Sequence, residues 1–193
     1  MILGLTGGMG GGKSTAARFF EEAGFRRIDS DRIVREELLA RPEVMARISE
    51  RFPDAMGSDG RVDRAALSRH VFASDTDRGW LEDLLHPLVY GRWRELLASE
   101  PAGNWVIEVP LLFEKGLENW FDFIVCVSTS SANQFARLSE RGIPQSLAEQ
   151  RISKQLPLAL KLEKADFVLS NDGTTDSLRL QVNHLADRLS AVR

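Results

Sequence analysis

The chain has 193 residues, of which 43% are hydrophobic and 27% are charged, and its formal net charge is −3. This globular composition argues against a disordered or fibrous chain, and the lack of a basic excess argues against nucleic acid as the main partner. No apolar run approaches the length of a membrane span, no signal-peptide pattern opens the chain, and the single cysteine, Cys126, cannot form an internal disulfide. We therefore expect a cytoplasmic protein with no membrane partner.

The first half of the chain begins with two strands and continues as helices. An apolar strand over residues 2–6 is followed by a glycine cluster, a helix over 13–23 closed by Gly24, and a second strand over 25–29. The next 70 or so residues have a helical pattern, with helices over 63–72 and 76–97. Breaks are expected at Pro53, at residues 57–60 and near Pro87.

Strands return in the second half. Strands are predicted over 105–109, 122–128 and 166–169, and helices over 130–140, over 146–155 and from Thr174 onward. Nearly continuous apolar strands that alternate with helices predict an α/β fold, a parallel sheet with helices on both faces. The helical stretches after Asp31 and over 130–155 are interpreted as insertions at the carboxyl ends of the strands, where open α/β folds bind ligands.

A glycine-rich loop carries the strongest functional signal. Residues 7–14, Gly-Gly-Met-Gly-Gly-Gly-Lys-Ser, match the pattern G-x-x-x-x-G-K-[ST] between a predicted strand and a predicted helix. The backbone N–H groups of such a loop form an anion-binding nest, and the helix start adds partial positive charge. A glycine-rich turn without ligand is disfavoured, because so many glycines near a helix start are costly to order. The predicted nucleotide-binding residues are Gly8, Gly10, Gly11, Gly12, Lys13, Ser14 and Thr15.

The loop predicts ATP or GTP as ligand. Lys13 would bridge the β- and γ-phosphates, and the Ser14 hydroxyl would hold Mg²⁺. Small GTPases also need an Asn-Lys-x-Asp string, which the sequence lacks. Motor ATPases usually carry an apolar strand that ends in Asp-Glu, and the nearest match ends in the single Glu108. Both classes are therefore weakened.

Further motifs follow in a specific order. They are Asp29-Ser30-Asp31 after the second strand, His86-Pro87, the string Pro-Leu-Leu-Phe-Glu at 110–114, the trio Gln134, Arg137 and Arg141, then Ala165-Asp166 and Asn171-x-Gly173. In this order the set resembles the dephospho-coenzyme A kinase family, from Gly4 to about Val182. Two positions depart from the family pattern: Gly11 stands where Ser is usual, and Glu108 where Asp is common.

The resemblance implies transfer of a phosphoryl group from ATP to the ribose 3′-hydroxyl of dephospho-coenzyme A, which gives coenzyme A and ADP. It implies a nucleotide-binding core (1–31, 103–130 and 165–193), a helical acceptor-binding insertion (32–102) and a helical lid (131–164). The partner is a small molecule, and the protein is expected to be a monomer or small homo-oligomer. Two alternatives stay open: another nucleoside or nucleotide kinase with a P-loop, and a non-catalytic nucleotide switch.

The resemblance also suggests catalytic roles. Asp31 is the candidate base for the acceptor hydroxyl, although it could instead cap the helix that follows it. Arg137 and Arg141 are four residues apart, so a helix presents them on one face. By analogy with other nucleotide kinases, Arg137 would stack on adenine and Arg141 would neutralise the transferring phosphoryl group. The alternative is a solvated helix face.

The remaining candidates concern the adenine, the acceptor and the metal. Asn171 and Gly173 are predicted to offer backbone groups to the adenine edge, or to form an ordinary turn. His86 would touch the acceptor or be structural. Glu108 is a second candidate for the metal, directly or through water. Leu111, Leu112 and Phe113 would form an apolar wall for the acceptor, and could equally be core residues.

Overall fold

The computed structural model describes residues 1–191, so residues 192 and 193 of the predicted core segment 165–193 lie outside the described residues. The chain divides into two compact units, Met1–Ile28 with Ala102–Arg193, and Asp29–Pro101. The first unit contains the sheet and the glycine loop. The second is helical.

The sheet has five parallel strands. They are β1 (Ile2–Gly7), β2 (Arg26–Asp29), β3 (Trp105–Glu108), β4 (Phe123–Ser128) and β5 (Phe167–Ser170), in the spatial order β2-β3-β1-β4-β5. Leu5 of the central β1 lies in register with Glu108 on one side and with Val125 on the other. Because parallel strands end at the same edge, the loops after β1, β3, β4 and β5 meet there. The predicted α/β fold is confirmed.

Both faces of the sheet are covered. On one face, α1 (Lys13–Glu22) packs with α9 (Thr175–Ser190) over an apolar cluster that includes Leu3, Leu5 and Val125. Side chains alternate along a strand, so Gly4 and Thr6 point to the opposite face. There a Cβ on Gly4 would lie 2.7 Å from Leu112 Cδ1, and α8 (Leu158–Lys164) packs against β4.

Two more helices belong to the first unit. They are α6 (Ser131–Glu140) and α7 (Gln145–Ser153). Both were predicted to within two residues, because Ser130 caps α6 through the backbone N–H of Asn133 and Pro144 precedes α7. The short helix α8 was not predicted. A seven-residue segment gives too few periods for an amphipathic pattern to stand out.

The second unit is built from helices. They are α2 (Ser30–Arg32), which continues as the π-helical segment Ile33–Leu38, then α3 (Pro42–Arg51), α4 (Arg64–Ala73) and α5 (Asp75–Ser99). The predicted break near Pro87 was wrong, since α5 runs through it. Proline removes one helical hydrogen bond, but the buried residues Leu85, Val89 and Trp93 keep helical spacing on either side of it. No helix within residues 1–191 is long and apolar enough to cross a membrane.

Candidate active site

The glycine loop curls between β1 and α1 as the motif predicts. Gly7 has φ +144° and Gly12 has φ +99°, backbone conformations that favour glycine. The space is equally restrictive, because a Cβ on Gly12 would lie 2.0 Å from Asn171 Nδ2, and one on Gly7 would lie 2.4 Å from the Val127 carbonyl oxygen. Gly12 is also the N-cap of α1, since its carbonyl accepts hydrogen bonds from the amides of Thr15 and Ala16. Loops with this motif and conformation bind anions through backbone amides.

Lys13 and Ser14 occupy the first turn of α1. The Lys13 ammonium donates to the carbonyls of Gly7 (3.1 Å) and Gly8 (2.9 Å), so it lies over the loop itself. Ser14 is exposed, and no acidic residue stands in this turn. The positive end of the helix dipole and one lysine thus act together on any anion bound here.

The residues present fit a magnesium ion that is held mainly by its nucleotide. Within residues 1–191, no group of three or more His, Cys, Asp or Glu side chains could hold a metal. Mg²⁺ in kinases needs no such cage, because phosphate oxygens and water supply most of its ligands. The exposed residue Ser14 can supply one of the few protein ligands that such an ion needs, through its hydroxyl.

Glu108, the second metal candidate, has a different environment. Its Oε1 accepts from Arg27 at 2.6 Å and 2.7 Å, and the residue is 6% exposed. A metal bound directly at this oxygen would compete with a largely desolvated ion pair. The pair therefore favours a structural role, the joining of β2 to β3.

Two glutamines contact the glycine loop from the segment predicted to be the lid. Gln134 of α6 donates its Nε2 to the Met9 carbonyl at 2.6 Å, and the Met9 amide donates to Gln155 Oε1 at 3.3 Å. A Cβ on Gly8 would lie 3.0 Å from Gln134 Nε2, so the helix approaches the loop backbone closely. The polar backbone of Met9 is thus satisfied from both sides.

Arg137 and Asn171 are brought together beside the loop. Asn171 is 7% exposed, and its Nδ2 donates to the Gly11 carbonyl at 2.8 Å. Arg137 donates from Nη2 to the Asn171 carbonyl at 2.7 Å and from Nη1 to Thr129 Oγ1 at 3.3 Å. Two residues far apart in sequence therefore share one hydrogen-bond network that ends on the glycine loop.

Asp172, to which sequence reasoning gave no role of its own, holds this network in place. Its Oδ1 accepts from the Ser130 amide (2.6 Å), Asn133 Nδ2 (3.0 Å) and Thr129 Oγ1 (3.1 Å). These bonds favour the ionised carboxylate and hold the pKa of Asp172 at about 2, with the Ser130 amide as the largest cause. The loops after β4 and β5 are thereby joined.

Arg141 and Gly173 have no such contacts. Arg141 is the exposed C-cap residue of α6, and its side chain makes no hydrogen bond or ion pair in the part of the chain that the structure describes. Gly142, with φ +72°, ends the helix directly after it. Gly173 is exposed in the loop before α9, next to the Thr174 N-cap. The structure thus joins Arg137, but not Arg141, to the loop network.

The Pro-Leu-Leu-Phe-Glu segment is held by a buried lysine that the sequence analysis missed. Lys161 of α8 is fully buried, pairs with Glu114 at 2.7 Å and donates to the Pro110 carbonyl at 3.1 Å. Glu114 Oε1 also accepts from the Leu156 amide at 2.8 Å, next to Gln155. The signal available was a lysine between two leucines, Leu160-Lys161-Leu162.

The three apolar candidates of this segment differ in exposure. Leu112 is fully buried against Gly4, and Phe113 is 8% exposed. Leu111 is half-buried. Burial favours the core alternative for Leu112 and leaves Leu111 the most accessible of the three.

In the helical unit, the structure separates the two aspartates that follow β2. Asp29 is the N-cap of α2, because its Oδ1 accepts from the Arg32 amide at 2.8 Å. Asp31 is exposed within the turn, so the capping role considered for Asp31 belongs to Asp29. His86 is half-buried in α5 and stacks on Tyr90 at a ring distance of 5.8 Å.

Known proteins resemble this chain in sequence and in fold. A family model described as dephospho-CoA kinase matches residues 1–177. The protein named dephospho-CoA kinase in Synechococcus sp. (strain CC9902) is 37% identical over 187 residues, which cover 95% of this chain and 94% of that protein. A crystal structure of a Thermus thermophilus protein superposes with a TM-score of 0.85 at 31% identity, covering 100% of this chain and 98% of that one.

A more distant structure supports the fold alone. The dephospho-CoA kinase from Campylobacter jejuni is 22% identical, with a TM-score of 0.73 over 98% of this chain and 97% of that chain. The family match over residues 1–177 and the relative at 37% identity decide the assignment. This chain belongs to the dephospho-CoA kinase family.

Proposed function

We propose that this protein transfers the γ-phosphoryl group of ATP to the ribose 3′-hydroxyl of dephospho-coenzyme A, forming coenzyme A and ADP. Family membership supports this reaction. The observation that carries the proposal is the curled loop of residues 7–14, with Lys13 lying over its carbonyls at 2.9–3.1 Å. Such a loop binds a polyphosphate through backbone amides, one lysine and a helix N-terminus.

The triphosphate would displace the loop carbonyls as the partner of the Lys13 ammonium. Backbone amides of the loop other than those of Met9 and Gly11, which donate to Gln155 Oε1 and to the Gly8 carbonyl, would hold the β-phosphate. Ser14 would contribute its hydroxyl to Mg²⁺. The ion, when bound, supplies positive charge that offsets the charge on the phosphate oxygens. Positioning and charge stabilisation account for most of the rate in phosphoryl transfer, so rigid loop geometry is itself catalytic.

Asp31 would direct the attacking hydroxyl. As the 3′-oxygen bonds to the γ-phosphorus, ADP leaves and the hydroxyl proton passes to the Asp31 carboxylate. The exposure of Asp31, together with the capping of α2 by Asp29 instead, supports a role for Asp31 other than holding the helix. His86 is a candidate contact for the acceptor from α5.

The network around Asn171 would form the adenine end of the site. Arg137 is fixed at Asn171 and Thr129, which leaves the flat face of its guanidinium as the surface for stacking. The Asn171 side chain donates to the Gly11 carbonyl of the glycine loop. Backbone groups near Gly173 are therefore the candidates for hydrogen bonds to the adenine edge. Arg141, which has no partner within residues 1–191, would neutralise the transferring phosphoryl group.

A panel of acceptors tests the proposal against the two alternatives. ADP release is measured with dephospho-coenzyme A, adenosine, AMP and pantetheine phosphate at equal concentrations. We expect rapid release only with dephospho-coenzyme A. Faster ADP release with AMP or adenosine would instead indicate a nucleotide or nucleoside kinase. Tight ATP binding with no acceptor-dependent release would assign a nucleotide switch.

We also expect the protein to act in the cytoplasm, as a monomer or small homo-oligomer. A small-molecule substrate requires neither nucleic acid nor a membrane partner. Cell fractionation tests the location, and light scattering of the purified protein measures the oligomeric state. Recovery of the protein in the membrane fraction would contradict the first expectation.

A further inference from the structure

A cavity of about 530 Å³ lies within the helical unit. Three arginines and an apolar floor line it: Arg35, Arg61, Arg64, Leu39, Met45 and Val62. Its volume suits part of a small molecule, and its lining combines a few charged groups with an apolar surface, as ligand sites commonly do.

The charge of this cavity opposes that of the whole chain. Three arginines and one carboxylate, Glu36, line it, so its net charge is two positive (3 − 1), whereas the chain carries −3. Among the described residues, no carboxylate pairs with Arg61 or Arg64, and the ion pair of Arg35 is a 4.0 Å approach to Glu36. The arginines are therefore available to an anion. Their planar guanidinium groups match phosphate oxygens two at a time.

The backbone holds two of these arginines in place. The Gly57 amide donates to the Arg61 carbonyl at 2.7 Å, and Met56 bridges to Val62, so the turn that carries Arg61 is closed. Arg64 is the first residue of α4, after the Asp63 N-cap. A cation there faces the positive end of the helix dipole, which disfavours it. Its position is therefore not explained by helix stability.

The position of Arg35 relates the cavity to the candidate base. Arg35 follows Asp31 by four residues on one continuous helical segment, about 6 Å along the axis. In dephospho-coenzyme A, three carbon atoms of a single ribose separate the 3′-oxygen from the oxygen that carries the diphosphate. An acceptor with its 3′-hydroxyl at Asp31 therefore has its diphosphate about one helical turn away.

We infer that this cavity binds the diphosphate of the acceptor, with Leu39, Met45 and Val62 contacting the apolar arm beyond it. The inference rests on the proposed function. It explains how the enzyme distinguishes dephospho-coenzyme A from adenosine, which offers the same hydroxyl without a diphosphate. ATP and free phosphate also carry phosphate oxygens, so they are the other ligands that could bind these arginines.

Three arginine variants and a control test the inference. Arg61→Gln, Arg64→Gln and their double variant remove cavity charge, and Arg69→Gln removes an exposed charge from α4 outside the cavity. Steady-state kinetics give KM for dephospho-coenzyme A and for ATP. Calorimetry with a saturating non-hydrolysable ATP analogue gives the affinity for dephospho-coenzyme A and for adenosine. Circular dichroism verifies the fold of each variant.

Each single cavity variant should raise KM for dephospho-coenzyme A about tenfold, the effect of one lost charge-assisted contact, and the double variant should raise it further. In the cavity variants, KM for ATP and the affinity for adenosine should change less than about twofold, because neither depends on a phosphate contact in the cavity. In Arg69→Gln, KM for dephospho-coenzyme A should also change less than about twofold. An unchanged KM for dephospho-coenzyme A in the double variant would overturn the inference. Equal losses of affinity for adenosine and dephospho-coenzyme A, or a loss of affinity confined to ATP, would also overturn it.

An absence of turnover by the wild-type protein would overturn the proposed function instead. Calorimetry with dephospho-coenzyme A would then test the cavity alone.

Discussion

The two aspartates at the end of β2 differ in what surrounds them. Asp29 caps α2 through the Arg32 amide, whereas Asp31 is exposed within that turn. The sequence places both carboxylates at the end of a strand, but their spacing does not say which of them serves the backbone. The structure answers this through one hydrogen bond of 2.8 Å. The two residues can therefore be tested against each other.

Replacement of Asp31 by Asn should lower kcat roughly 100-fold or more, because an amide cannot accept the proton of the attacking hydroxyl. KM for ATP should stay unchanged. Asp29→Ala is the matched control: it should cost about 1 kcal/mol of stability and lower Tm by about 2–4 °C, with a smaller loss of kcat. A decrease of kcat below about fivefold in Asp31→Asn would show that Asp31 is not the base.

At the scale of elements, the buried Lys161–Glu114 pair joins α8 to the segment after β3. Lys161 is fully buried, and Glu114 also receives the Leu156 amide. Lys161→Met should lower the free energy of unfolding by about 3–5 kcal/mol, because it leaves a largely buried carboxylate without its cation. Denaturant unfolding measures this loss.

The double variant Lys161→Met/Glu114→Gln should recover part of that loss, since it removes the unpaired charge as well. Lys164→Ala, which breaks an exposed pair with Glu118, is the control and should cost less than about 1 kcal/mol. Equal stabilities for Lys161→Met and Lys164→Ala would contradict the assigned role of the buried pair.

Asp172 joins the loops after β4 and β5, and its contribution depends on pH. Its pKa of about 2 lies below the ordinary aspartate value of about 3.9, so the unfolded chain takes up this proton first as pH falls. Stabilisation by Asp172 is therefore complete above about pH 4 and is lost as pH falls towards 2.

Asp172→Asn should destabilise the protein at pH 5 and flatten the decline of stability between about pH 4 and pH 2. Urea unfolding at several pH values measures both effects. Asp176→Asn, an exposed change in the first turn of α9, is the control. An unchanged slope in Asp172→Asn over that range would refute the assigned role.

For the whole molecule, the sequence predicts most of the fold, including the strand, loop and helix that form the candidate nucleotide site. The apolar strands and the G-x-x-x-x-G-K-S loop are local signals, so β1, α1 and the parallel sheet could be predicted. Lys161 and the linking role of Asp172 could not, because they depend on contacts between segments about 40 to 50 residues apart, such as Asp172 with Ser130 and Lys161 with Pro110. The helix break predicted near Pro87 was wrong for a related reason, because burial of residues on both sides of it outweighs the lost hydrogen bond.

Removal of the metal should affect activity but not the fold. No cluster of three or more ligating side chains occurs among the described residues, so Mg²⁺ is expected to bind with the nucleotide. Treatment with EDTA should abolish turnover and leave Tm of the nucleotide-free protein unchanged. Addition of excess Mg²⁺ should restore turnover. A clear decrease of Tm on chelation would instead indicate a structural metal.

The central claim is that the loop of residues 7–14, with Lys13, holds a triphosphate for transfer to the 3′-hydroxyl of dephospho-coenzyme A. Phosphorus NMR of the reaction mixture tests it most directly, because it reports the position of the transferred group. We predict a new phosphomonoester on the 3′-oxygen with the wild-type protein and none with a natively folded Lys13→Ala variant. The account would be contradicted by a phosphoryl group at any other position, or by an undiminished rate in Lys13→Ala.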